Sequence, residues 1–126
     1  MLKSLSEFCE QFDNGLFFEA HETLETAWRV CENTEDRLFL QALIQTAAVF
    51  VHLKKKQFSP ALSLSHLAIE KFNACRASTL IRHVDVEPIV HALNYNAELI
   101  AEMTLREKLD EIIWEQYLVP ALGVGA

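Results

Sequence analysis

Between Gly15 and Gly123 the chain has no glycine, and its three prolines, Pro60, Pro88 and Pro120, stand far apart. Glycine and proline are the residues that let a backbone turn tightly at low cost. A chain of 126 residues with only six of them cannot supply the frequent turns of a β-sandwich or the glycine period of collagen. Long uninterrupted segments are left, and 51% of the residues are hydrophobic. That length and that apolar content suit one domain with a proper core. The prediction is an all-α, compact single-domain bundle of five or six helices over residues 1–119, with a flexible tail at 120–126.

Helical periodicity places the segments. Leu5, Phe8, Cys9 and Phe12 repeat at helical spacing over 4–13, where Ser4 and Glu7 read as a capping box. Asp13-Asn14-Gly15 ends that helix. A second helix is predicted from about Leu16 to Cys31. A third, about 35–56, has Thr34 as its expected N-cap and apolar residues around most of its circumference, which suits a central position. The run Lys54-Lys55-Lys56 at its end is accounted for by the negative pole of the helix dipole, without an anion site. Helix four is expected at about 60–76 with Pro60 in its first position, and helix five at about 86–103 behind Asp85. Leu105, Leu109, Ile112, Ile113 and Leu118 among charges predict an amphipathic sixth helix, 105–118, on which a homodimer contact through Trp114 and Tyr117 is the functional alternative to packing.

Charge and cysteines bound the partners. Eleven basic against eighteen acidic residues give a net charge of −7, which argues against nucleic acid and anionic membrane as partners. The longest apolar stretch, Leu38 to Leu53, is interrupted by Gln41, Gln45 and His52 and is too short and polar to span a bilayer. Cys9, Cys31 and Cys75 are odd in number, far apart and set among apolar neighbours, so they read as small buried hydrophobes. Residues 1–7 lack the apolar core of a secretory signal, and the cytoplasm is the expected location.

The acidity is uneven: before Lys54 three basic residues face nine acids, a net of −6. Part of it lies in the second helix, Gly15-Leu16-Phe17-Phe18-Glu19-Ala20-His21-Glu22-Thr23-Leu24-Glu25-Thr26-Ala27-Trp28. Phe17, His21, Leu24, Glu25 and Trp28 fall close to one face, and Glu22 projects about 100° round from His21. On the third helix Gln41, Gln45 and His52 form a narrow polar stripe in apolar surroundings. Buried polar groups need partners or cost about 1–3 kcal/mol each. The simplest arrangement is a polar cluster of His21, Glu22, Glu25, Gln45 and His52 between helices two and three, flanked by Trp28.

These residues also carry a resemblance. GLFFEAHETLETAW followed by RLFLQALIQTAAVFVH resembles the small all-helical family known as domain of unknown function family 309. The matching positions are Phe17, Phe18, Glu19, His21, Glu22, Glu25, Trp28, Gln45, Ala47, Ala48 and His52, within a family-like core of about 12–72. After His52 the family's Gly-Asn turn is replaced by Lys56-Gln57-Phe58-Ser59-Pro60-Ala61. The resemblance implies a compact helical bundle and no established function.

Four readings of the cluster follow from its chemistry. One is a satisfied hydrogen-bond network that fixes the register of two helices in a binding or interaction module. One is a divalent-metal site with His21, Glu25 and His52 as ligands. The chain has neither the Glu-x-x-His pairs of di-iron bundles nor the H-E-x-x-H of zincins, since Glu25 stands where the second histidine belongs. One is general acid–base catalysis on a small molecule by His21 with Glu22 or Glu25, and the last is binding of a small-molecule or protein partner without chemistry. Of the remaining histidines, His66 reads as a surface or partner contact, and His83 and His91 as solvated.

Overall fold

The computed structural model describes residues 1–123. Five α-helices follow one another: α1 Leu2–Asp13, α2 Phe17–Val30, α3 Thr34–Lys54, α4 Phe58–Ala74 and α5 Val86–Leu105. Single 3₁₀ turns lie at Ile81–His83, Leu109–Glu111 and Trp114–Gln116, and there is no strand among the described residues. Each helix packs on its neighbour in sequence, and α3 forms the centre between α2 and α4. Its buried set, which runs from Phe39 to Leu53, covers most of its circumference. No helix among these residues is long and apolar enough to cross a membrane.

The start of α3 obeys local rules with one substitution. Asn33, not Thr34, is the N-cap, and its Oδ1 accepts from the Asp36 amide at 3.0 Å. Asp36 in turn accepts from Ser78 Oγ at 2.7 Å and the Thr79 amide at 3.1 Å, which ties the α4–α5 connection to the positive pole of α3. At the first helix the expected capping box does not form. Helix α1 begins at Leu2, and Ser4 lies inside it. Pro60 likewise stands in the third position of α4, which starts at Phe58.

Three helices end alike. In α1 the Gly15 amide donates to the Phe12 carbonyl and the Leu16 amide to the Gln11 carbonyl, the bond pair that closes a helix around a left-handed residue. The same pair closes α3 around Lys56 and α5 around Glu107. Gly15 takes φ +77° without strain, but Lys56 and Glu107 hold φ +55° and +57° with side chains.

The predicted sixth helix is absent. Glu107 turns the chain out of α5, and residues 109–123 cross the bundle as an irregular strap with two 3₁₀ turns. The apolar spacing that imitated a helix serves a different geometry: Ile112 is buried and its neighbour Ile113 exposed. The strap's backbone finds partners elsewhere in the fold. Asn96, 1% exposed on α5, accepts from the Leu118 amide at 2.8 Å and donates to its carbonyl at 2.9 Å. Asp13 accepts from the amides of Leu122 at 2.8 Å and Gly123 at 2.9 Å. The tail expected to be loose from 120 is therefore docked as far as Gly123, and residues 124–126 lie outside the described part. Nor is there a C-terminal helix to carry the expected dimer contact. Trp114 packs instead on Phe17 and Phe50, with ring centroids 5.9 and 6.4 Å away.

Candidate functional site

Helix α2 turns Phe17, Ala20, Leu24 and Ala27 into the core. His21 and Glu25 follow Ala20 and Leu24 in sequence and so sit one step round the helix, at the margin of the buried face. There they meet each other. His21 Nδ1 lies 3.2 Å from Glu22 Oε1 and 3.6 Å from Glu25 Oε2, and Glu25 Oε1 accepts from Arg29 Nη2 at 2.8 Å. The side chains of His21, Glu22 and Glu25 are 27%, 57% and 29% exposed, so solvent reaches all three. One ligand atom from each falls within a 4.8 Å spread. Phe18, 60% exposed, lies parallel to the His21 ring with centroids 6.5 Å apart and an interplanar angle of 11°.

The cluster draws on one helix rather than two. Phe17 stacks on Phe50, with centroids 5.4 Å apart, and this sets the register of the α2–α3 pair. His52 lies beyond Phe50, about 10 Å along α3 from Gln45 at 1.5 Å per residue. Its Nδ1 pairs with Gln57 Oε1 at 2.6 Å, across the turn into α4. His52 therefore stitches a turn and is not gathered with His21, Glu22 and Glu25. Gln45 does not close a network with His21 either: its Oε1 is buried with no hydrogen-bond partner among the described residues, as is Trp28 Nε1. Trp28 is held from its face, with the Arg37 guanidinium 4.3 Å from the ring centroid. Arg37 Nη1 also donates to the carbonyls of Trp28 at 2.8 Å and Cys31 at 3.0 Å, closing the α2–α3 corner. Glu19 is exposed on the outer face of α2 and Gln41 half-buried on α3.

Among the other sequence candidates, His66 and His91 are exposed and His83 is half-buried in its 3₁₀ turn. All three cysteines are free and buried. Burial pushes the Cys9 thiol up to about 11, with the Asp13 carboxylate adding to it, and burial also raises Cys75. Both are inert as nucleophiles at neutral pH. Sequence reading missed the polar clamps made by Asp13, Asp36 and Asn96. Asn96 alone carried a signal, as an amide within an apolar helix.

A family model described as a domain of unknown function matches residues 5–64. That model is the one for DUF309, and it covers just under half of the chain. The matched span runs from α1 into α4 and contains every member of the α2–α3 motif, including His21, Glu22, Glu25, Trp28, Gln45 and His52. No curated protein and no solved structure matches the chain. The strap and α5 lie outside the family match.

Proposed function

We propose that this protein is a binding module whose α2–α3 hairpin recognises a positively charged partner through the outer face of α2. The observation that carries this reading is the open histidine–carboxylate group. His21, Glu22 and Glu25 are organised by contacts within 3.6 Å yet remain 27–57% exposed, beside an exposed Phe18. A network serving only to lock two helices together would be expected to bridge them and to exclude water. Here the ladder from His21 through Glu25 to Arg29 orients the carboxylates on the surface while Leu24 and Ala27 hold the helix. An apolar ring beside two carboxylates suits an arginine- or lysine-bearing segment, which pairs its charge and lays its stem on the ring. The net −6 before Lys54 steers such a partner inward. Free buried cysteines fit a reducing compartment, so the cytoplasm is where we place this activity.

The test is a titration of isotope-labelled protein with a short peptide of alternating arginine and leucine. Saturable shifts are expected at residues 18–25, and they are lost in the Glu22→Gln, Glu25→Gln double variant while the fold persists. Shifts that survive the double variant, or none at all, reject the reading.

A second reading is favoured by the 4.8 Å grouping of the three ligand atoms: a divalent ion bound by His21, Glu22 and Glu25. Rotamer changes in half-exposed side chains would bring one nitrogen and two oxygens to the roughly 2.0–2.2 Å that zinc requires, with further positions open for water or substrate. Such a site is where a metal-dependent or acid–base reaction on a small molecule would occur. Zinc titration of untagged protein is expected to give one equivalent bound, abolished by His21→Ala. No binding at about 100 μM zinc removes this reading.

A further inference from the structure

Where the strap crosses the end of α3 it forms one wall of two adjoining open clefts. One, of about 400 Å³, is lined by Leu53, Lys54, Lys56, Ile112, Trp114 and Tyr117. The other, of about 410 Å³, lies on the far side of the Lys54–Trp114 contact against Phe12, Phe17 and Pro120. These sizes are typical of small-molecule sites. The first combines apolar and aromatic lining with two lysines. Lys54 Nζ stands 5.0 Å from the Trp114 ring centroid and 5.6 Å from that of Phe17, so two aromatic faces hold the ammonium in place. Lys56 Nζ donates to the Asp110 carbonyl at 3.2 Å.

Neither lysine has a carboxylate within ion-pair distance among the described residues, although the chain carries a net charge of −7. The carboxylate nearest to hand in the second cleft, Asp13, is already engaged by the Leu122 and Gly123 amides. Lys56 occupies the left-handed closing position of α3 at φ +55°, where glycine would fit without strain.

The geometry points to a binding site for a small aromatic carboxylate. Its ring lies in the cleft against Trp114, Tyr117 and Ile112, and its carboxylate bridges the ammonium groups of Lys54 and Lys56. This site is built from α3 and the strap, is separate from the α2 face, and stands or falls independently of the function proposed above. The aromatic lining selects a flat body over a flexible chain, and the two unpaired cations select an anion over a neutral molecule.

Naphthalene-2-carboxylate is the probe, titrated into the full chain and followed by calorimetry and amide shifts. Saturable binding at about millimolar or tighter is expected, with shifts at Lys54, Ile113, Trp114 and Tyr117. The neutral isostere naphthalene-2-carboxamide should bind about tenfold more weakly, a comparison that needs no variant. Lys54→Met and Lys56→Gln should each weaken the carboxylate by about tenfold, while Lys55→Gln, outside the lining, leaves it unchanged. The proposal is overturned by no saturation at about 10 mM probe, by equal affinity for acid and amide, or by shifts confined to other surfaces. Should Lys54→Met fail to fold, Lys56→Gln and the acid–amide comparison decide alone.

Discussion

His21 makes its polar contacts within its own helix, and that decides what removing it does. Pairs at i, i+1 and i, i+4 on a half-exposed surface are worth a few tenths of a kcal/mol each. His21→Ala should therefore lower stability by less than about 1 kcal/mol in a denaturant melt. That is below the cost of about 1–3 kcal/mol expected of a sealed cluster. A larger loss would mean that His21 bonds across to α3 after all. Asn96 is the opposite case. It is buried and satisfies both backbone groups of Leu118, so Asn96→Ala should cost about 2–4 kcal/mol in the same measurement by stranding a donor and an acceptor. Cys9 sets a pH limit. Its thiol is raised from 9.0 to about 11 in the folded state, so above pH 9 the unfolded chain has released a proton that the folded chain still holds. Stability should thus fall as pH rises from 9 to 11, and Cys9→Ala should flatten that decline in melts taken across the range.

At the scale of elements, helix positions were legible because their burial pattern is local. Leu5, Phe8, Cys9 and Phe12 are spaced for one face and are buried on one face. The third helix was apolar all round and is central. What spacing could not reveal is how α3 packs, and the site reading failed there. Gln45 and His52 share a stripe on α3, but the Phe17–Phe50 stack places His52 past the start of α2, out of reach of His21. The strap failed for a related reason. Its apolar residues keep helical spacing, yet its backbone bonds are supplied by Asn96 and Asp13, residues far away in the chain. The helix ends yield a test of their own. Glu107 closes α5 at φ +57° with an exposed side chain, so Glu107→Gly should stabilise the protein by about 1 kcal/mol through relief of left-handed strain. An unchanged or lowered melting midpoint would contradict that account.

For the whole molecule, the strap is the element that completes the core. Ile112, Tyr117 and Leu122 are buried, and Trp114 covers Phe17 and Phe50. Burying four large apolar side chains is worth about 1.5–3 kcal/mol each, comparable to the whole margin of a small domain. A chain ending at Glu111 should consequently bind a hydrophobic dye and lose its cooperative thermal transition. The DUF309 match ends at residue 64, so α5 and the strap complete in this protein a core that the matched span alone leaves open.

The Asp13 clamp also imposes an order in time. Its carboxylate belongs to α1, and the amides that fill it belong to Leu122 and Gly123, far later in the chain. The helical hairpins between them involve neighbours in sequence and can form while the chain is still emerging from the ribosome. The clamp cannot close until Leu122 and Gly123 have been made, so a nascent chain carries its aromatic core, Phe17 and Phe50 included, without its fastened cover until translation has passed residue 123.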